Sequence, residues 1–170
     1  ETGDGAGVSI QIPHQFFAEE CSALGFTLPA EGEYGVGMVF LPVEPQPRFQ
    51  CEGILDRVVQ EEGLSVLGWR DTPVESDAIG RTARASQPYI EQVFIRGAAG
   101  MDREALDRAL YVIRKRVEAE IAASDIHGKA FFYIPSMSSR IIVYKGLLLA
   151  PQIARFYTDL SDARAASALC

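Results

Sequence analysis

The sequence has little of the residue types that most often mark a catalytic or metal-binding centre. It contains three cysteines, two histidines and one tryptophan. Cys21, Cys51 and Cys170 lack the close spacing of a zinc site, and their odd number does not indicate a disulfide framework. Sparse cysteine of this kind is typical of a reducing compartment, so we expect a cytoplasmic protein.

An excess of basic charge and long apolar runs are missing too. The formal net charge is -7, which argues against a surface for nucleic acid or anionic lipid. No apolar run approaches the roughly 20 residues of a membrane span, so we expect no membrane partner. The chain starts without methionine and stops inside an apolar stretch, and we expect it to be a piece of a longer protein.

The sequence instead has the pattern of a mixed α/β domain. Apolar residues make up 48% and charged residues 23%, as in ordinary globular proteins, and the length suits one domain over residues 1–170. The apolar pattern predicts strands over residues 8–12, 34–42, 64–73 and 89–97, and the beginning of another at 165–170. Residues 131–134 and 140–145 flank a short polar loop and predict a hairpin. This order favours a layered α/β architecture.

Helix signals lie between these strands. The longest periodic segment, residues 102–124, has Asp102 as its predicted N-cap and a single apolar stripe. The stripe consists of Leu106, Leu110, Ile113, Val117 and Ile121. Proline and glycine punctuation predicts further helices over residues 13–24, 48–62 and 151–157, with Gly25 and Gly63 closing the first two. Residues 77–85 predict a helical turn or two.

Few residues suggest chemistry by themselves. His14 and His127 have no companion ligands, so we expect structural or solvent-facing roles, although histidine is the usual general base. Cys21 and Cys51 lie on apolar helix faces and are expected to pack in the core, the alternative being a reactive thiolate. Trp69 is expected in a core strand, with a binding surface formed with its neighbours as the alternative.

Two local segments suggest a ligand only weakly. The turn at residues 138–140 has the serines and arginine of an anion site, but serine-rich turns are usually only turns. Residues 2–7 hold three glycines before the first strand. They do not form a Walker loop, because no Lys-Ser/Thr follows, nor a dinucleotide fingerprint, because they precede the strand. Taken alone, they favour a tight turn before a core strand.

Longer stretches carry a resemblance to a known family. They are Thr-Gly-Asp-Gly-Ala-Gly at 2–7, Tyr-Gly-Val-Gly-Met-Val-Phe-Leu-Pro at 34–42, Val-Leu-Gly-Trp-Arg-Asp-Thr-Pro-Val at 66–74, Ile-Glu-Gln-Val-Phe-Ile at 90–95, Phe-Tyr-Ile-Pro-Ser-Met-Ser-Ser-Arg at 132–140 and Tyr-Lys-Gly-Leu-Leu at 144–148. In this order, over nearly the whole chain, the sequence resembles the class II glutamine amidotransferase (glutaminase) domain of glutamate synthases.

The resemblance implies an N-terminal-nucleophile hydrolase fold, a four-layer αββα sandwich of which this chain is an internal fragment truncated at both ends. It implies an N-terminal cysteine that attacks the side-chain amide of L-glutamine, with its own α-amino group as base. The ammonia then passes through the rest of the large subunit to a flavin domain, where 2-oxoglutarate is aminated and reduced to glutamate. For the parent it implies FMN, an iron–sulfur cluster and a small reductase subunit or ferredoxin. For this fragment we expect no cofactor and no metal.

The same resemblance limits what this chain contributes. None of Cys21, Cys51 and Cys170 matches the position of the nucleophile, so we expect no catalytic residue here and an inactive fragment. The family's other glutamine-binding motifs are expected beyond residue 170. Asp4, Gly5 and Gly7 match the glycine-rich segment near the nucleophile, and we expect them to support the active site, with a plain structural role as the alternative. The alternative function is a stand-alone, non-catalytic α/β module that senses a ligand or binds a partner.

Overall fold

Strands and helices alternate along most of the chain in the computed structural model, which describes residues 5–166. The strands are β1 Ala6–Gln11, β2 Tyr34–Leu41, β3 Ser65–Asp71, β4 Tyr89–Arg96, β5 Tyr133–Ser138 and β6 Ile141–Gly146. The α-helices are α1 His14–Ala23, α2 Pro45–Glu61, α3 Arg81–Ala85, α4 Arg103–Ala123, α5 Ile153–Phe156 and α6 Ala163–Ala166. Single 3-10 turns occupy Ser76–Ala78, Lys129–Phe131, Ala150–Gln152 and Thr158–Ser161.

The strands form two antiparallel sheets. One sheet has the order β3-β4-β2-β5, and the other pairs β1 with β6. Val36 of β2 lies opposite Phe94 of β4 in the first sheet, and Val8 of β1 lies opposite Tyr144 of β6 in the second. The predicted mixed α/β class is confirmed.

The hairpin predicted for β5 and β6 is wrong. The two strands follow each other closely, but β5 pairs with β2 and β6 pairs with β1, so the chain crosses from one sheet to the other between them. Near the crossing, serine side chains accept hydrogen bonds from backbone N–H groups that a hairpin would pair with backbone carbonyls. Ser138 Oγ accepts the N–H groups of Arg140 and Ile141 at 2.9 and 3.3 Å, and Ser136 Oγ accepts that of Val143 at 3.0 Å. These bonds satisfy backbone donors at the crossing.

The two sheets stack, and α2 and α4 cover the other face of the four-stranded sheet. Strand β2 shows the arrangement, because its successive side chains alternate between the faces. Val36 and Met38 enter the core between the sheets, whereas Val39 and Leu41 enter the core under the helices. Strand β2 is therefore covered on both faces, as its nearly continuous apolar run predicts.

Helix α4 confirms its predicted stripe, since all five of its apolar residues are buried. Asp102 caps it, with its Oδ1 accepting the N–H of Ala105 at 2.7 Å. A Cβ added at Gly35 of β2 would overlap the side chain of Leu110, so glycine there lets α4 lie close to the sheet. Helix α2 begins at Pro45, one turn before the predicted start, because proline is tolerated where helical N–H groups have no partner anyway.

The end of the described chain is helical. The strand predicted for residues 165–170 is wrong at residues 165–166, which belong to α6. Asp162 precedes α6, and its Oδ1 accepts the N–H of Arg164 at 2.9 Å, the typical geometry of a helix cap. Residues 167–170, with Cys170, lie outside the described residues. Within residues 5–166, no helix combines the length and the apolar character needed to cross a membrane.

Candidate functional site

The glycine-rich segment leads into β1 beside β6. Asp4 lies outside the described residues, so only Gly5 and Gly7 of the predicted support residues can be placed. Gly5 has a φ of +100°, a conformation that side chains disfavour. Gly7 is opposite Lys145, and a Cβ on it would lie 3.0 Å from the Lys145 Cβ. Gly5 therefore favours glycine because of its backbone conformation, and Gly7 because of the close approach of Lys145.

A cleft of about 740 Å³ opens beside these glycines. Apolar side chains from both sheets and from the C-terminal segment form much of its wall: Phe40, Ile90, Val143, Leu148, Phe156 and Tyr157. Among its polar residues, Lys145 holds its ammonium 4.9 Å from the centre of the Tyr133 ring. Gln87 has a buried Oε1 without a hydrogen-bond partner among the described residues. An apolar concavity with a few polar groups is the usual form of a small-molecule site.

Next to this cleft, a buried polar network joins both sheets to the C-terminal segment. Arg70 of β3 donates to both carboxylate oxygens of Asp159, at 2.8 and 2.9 Å, and to Oε1 of Gln92 at 2.8 Å. Tyr144 of β6 donates to Asp159 at 3.0 Å and accepts from Gln92 at 3.2 Å. Glu20 of α1 lies 3.5 Å from the guanidinium of Arg70. Residues distant in sequence thus meet at one carboxylate.

The electrostatics of the network fix its protonation. Burial opposes the charge of Arg70, but the hydrogen bonds and charge of Asp159 hold the Arg70 pKa above its ordinary value. Burial, together with the negative charge of Asp159, raises the pKa of Tyr144 well above its ordinary value. Arg70 stays cationic and the Tyr144 phenol stays neutral at physiological pH. These two groups therefore brace the sheets and are not proton acceptors.

Sequence reasoning missed this network and considered Arg70 only as a neighbour of Trp69 in a possible binding surface. Trp69 is half-buried on the opposite face of β3, where its Nε1 donates to Oδ1 of Asp56 at 3.1 Å. Trp69 therefore packs against the core under the helices, as expected of an aromatic residue in a strand, but β3 is an edge strand and the indole is only half-buried. One signal was available, because Arg70 and Gln92 interrupt strands that are otherwise largely apolar.

The cysteines have the packing role that was predicted. Cys21 of α1 is buried in the core between the two sheets. Cys51 of α2 is buried in the core between the helices and the four-stranded sheet. Burial is the main cause that raises the pKa of Cys21 to about 12 and that of Cys51 to about 11. Because the thiolate is the reactive species, neither side chain is placed as a nucleophile.

The histidines and the serine turn have local partners. His14 Nδ1 lies 2.9 Å from the hydroxyl of Tyr34, and His127 is largely exposed, 3.5 Å from Glu44. At the turn, Ser139 donates its N–H to Asp107 at 2.8 Å and Arg140 donates its Nε to the same carboxylate at 2.9 Å. The carboxylate of Asp107 occupies the position that an external anion would take, which confirms the structural interpretation of the turn.

The relationship to known proteins agrees with this architecture. The sequence model of the family described as glutamine amidotransferases class-II matches residues 1–170. The chain belongs to the class II glutamine amidotransferase family. The two stacked antiparallel sheets with helices are consistent with the N-terminal-nucleophile hydrolase fold of that family, as the resemblance implied.

Similar proteins within the family are glutamate synthases. The chain is 42% identical over 163 residues to the glutamate synthase [NADPH] large chain of Bacillus subtilis (strain 168), covering 95% of this chain and 10% of that protein. It is 37% identical over 165 residues to the corresponding chain of Azospirillum brasilense, covering 96% and 11%. It is 39% identical over 162 residues to ferredoxin-dependent glutamate synthase 2 of Synechocystis sp. (strain ATCC 27184 / PCC 6803 / Kazusa), covering 95% and 10%. The chain thus spans about a tenth of the length of these relatives.

Proposed function

We propose that this amidotransferase chain is part of the glutaminase domain of a glutamate synthase large subunit. The observation that carries the proposal is the similarity to glutamate synthases along about 95% of the chain. The proposed domain hydrolyses L-glutamine to glutamate and ammonia. The same similarity supports this function over a stand-alone module for ligand sensing or partner binding.

We assign to this chain a supporting role at the glutaminase active site, with the nucleophile outside it. A cysteine outside these residues attacks the side-chain amide of glutamine, ammonia leaves, and water hydrolyses the resulting thioester. Asp4, Gly5 and Gly7 support the active site next to that cysteine. The tight approach of Gly7 to Lys145 and the left-handed φ of Gly5 support such a role, because a side chain at either position would strain or displace this backbone.

The ammonia passes to another domain of the large subunit, where 2-oxoglutarate is aminated and reduced to a second glutamate. FMN and an iron–sulfur cluster belong to that part of the parent. The thiols described here do not fit a cluster, because Cys21 and Cys51 are buried in different cores. The electron donor is a small reductase subunit or ferredoxin, and the compartment is the cytoplasm or a plastid.

Covalent labelling tests the proposal directly. A longer polypeptide that contains this chain and its upstream sequence is treated with an electrophilic glutamine analogue, and the modified residue is located by peptide mass spectrometry. We expect one modified cysteine upstream of Glu1, with glutamine protecting it. Modification of Cys21 or Cys51 that glutamine prevents would overturn the assignment, as would the absence of any glutamine-protected cysteine.

A further inference from the structure

Three carboxyl groups meet between helix α2 and the four-stranded sheet. Asp71 of β3 and Glu91 of β4 are directly opposite each other in the strand register. Glu52 of α2 belongs to the same cluster, since its negative charge acts on Glu91 and, after burial, raises the pKa of that carboxyl group. Like charges directly opposite each other across two strands destabilise the pairing, so three ionised carboxylates are an unfavourable arrangement here.

The cluster leaves Glu91 as the member without a compensating partner. Arg48 of α2 lies 4.0 Å from Glu52 and stacks over the ring of Tyr89 at 3.7 Å. Burial, and after it the interaction with Asp71, raises the pKa of Tyr89 of β4 to about 12, so its phenol is neutral beside Asp71. Glu91 is only 8% exposed, and its Oε2 has no hydrogen-bond partner within residues 5–166.

The neighbouring groups described next do not offer Glu91 a compensating positive charge. The next carboxyl along α2, Asp56, accepts a hydrogen bond from the indole of Trp69. On the other side of β4, the residue opposite Glu91 is Val39 of β2, which is apolar. Among the described residues, no set of three or more carboxylate, histidine or cysteine side chains is arranged so that it could hold a metal ion, and these three carboxyl groups are no exception. A proton is therefore the ligand that this arrangement fits.

We propose that Glu91 is a proton-binding site that fastens helix α2 to β3 and β4 at neutral pH. As a neutral acid, its O–H donates to the carboxylate of Glu52 or Asp71, which turns a repulsive contact into a hydrogen bond. Burial favours the neutral form of a carboxyl group, and nearby negative charge does the same. In agreement, burial and then the contacts with Glu52 and Asp71 raise the pKa of Glu91 to about 9.

The proton makes the α2 contact sensitive to pH. When α2 opens, Glu91 becomes exposed and returns to its ordinary pKa of 4.5. Between that value and the raised pKa, the closed form holds one proton more than the open form. The contact is therefore strongest below about pH 4.5 and weakens as the pH rises towards 9, at most tenfold in its opening equilibrium per pH unit.

Hydrogen exchange tests this in the longer protein. Amide exchange of peptides covering residues 45–61 is measured for wild type and Glu91→Gln at several pH values from about 6 to 8. The ratio of the wild-type to the variant rate cancels the intrinsic chemistry of exchange. We expect this ratio to rise with pH, by up to tenfold per unit, while the exposed control Glu75→Gln keeps wild-type behaviour.

A ratio that stays constant with pH would overturn the proposal. If Glu91→Gln does not fold, the wild-type protein alone carries the test. Its α2 exchange rates, divided by the intrinsic rates, then give an opening constant at each pH. That constant must rise with pH in α2 by more than it does in the α4 peptides of the same protein. Equal pH dependence of the two helices would contradict proton binding by Glu91.

Discussion

The guanidinium of Arg70 and the carboxylate of Asp159 form a two-pronged ion pair that is almost fully buried. The pair joins β3 to the C-terminal segment, and Tyr144 adds a connection to the second sheet. Breaking a buried pair by removing one partner leaves the other charge uncompensated, which is far more costly than losing an exposed pair. This relationship leads to the first prediction.

Replacing Asp159 by asparagine should lower the free energy of unfolding by roughly 3–5 kcal/mol, since Arg70 then remains buried without its counter-charge. The matched control is Asp77→Asn, because Asp77 is 91% exposed and pairs with Arg84 at 3.0 Å. It should cost only about 0–1 kcal/mol. Chemical denaturation of a glutaminase-domain polypeptide that contains this chain measures both. Equal losses would mean that the buried pair does not brace the fold.

The stripe of α4 gives a second prediction. Ile113 is fully buried, and Ile113→Ala should cost roughly 2–5 kcal/mol through lost burial and the cavity left behind. Val112, the neighbouring residue, is 41% exposed, so Val112→Ala should cost much less. The same denaturation experiment compares the two, and a larger loss at Val112 would show that the buried face is assigned incorrectly.

Two glycines give a third prediction, in which one alanine substitution destabilises the protein and the other stabilises it. Gly5→Ala should destabilise the protein by about 1–2 kcal/mol, because its left-handed φ is unfavourable for alanine. Gly53 lies within α2 with open space around its Cα. Gly53→Ala should therefore stabilise by about 0.5–1 kcal/mol. Thermal unfolding of both variants checks the signs, and stabilisation by Gly5→Ala would remove the backbone argument for this glycine.

Cysteine reactivity provides a fourth prediction. Cys21 and Cys51 are fully buried and have raised pKa values, so a thiol reagent should modify them slowly in the native protein. In denaturant both should react at the rate of an ordinary thiol. Mass spectrometry of the labelled peptides follows each site separately. Rapid native labelling of either site would contradict the packing role.

The sequence predicts those features of the fold that depend on interactions between residues close together in the chain. The stripe and the Asp102 cap of α4 depend on residues a few positions apart, and Gly25 and Gly63 end α1 and α2 with φ values of +93° and +81°. The pairing of the strands cannot be predicted in this way, because the residue patterns of β5 and β6 would each fit either sheet. Only the stacking of the two sheets decides that β5 pairs with β2 and β6 with β1.

The buried polar groups were the part of the site that sequence could not supply. Arg70 and Asp159 are 89 positions apart, and nothing near either residue identifies its partner. Glu91 lies opposite Asp71 only because of the register of β3 and β4. Gly5 and Gly7 differ from these polar groups, because the sequence already identified them as candidates. The structural reason for glycine became clear only from the φ of Gly5 and from the approach of Lys145 to Gly7.

The measurement that tests the central claim most directly is ammonia release from L-glutamine. The purified chain of residues 1–170 is compared with a longer polypeptide that extends it at both ends, under identical conditions and with monodispersity checked for each. We predict turnover by the longer polypeptide and none by residues 1–170, because the proposed function places the nucleophile outside this chain. Turnover by residues 1–170 at a rate near that of the longer polypeptide would contradict the account, since a residue described here would then be the nucleophile.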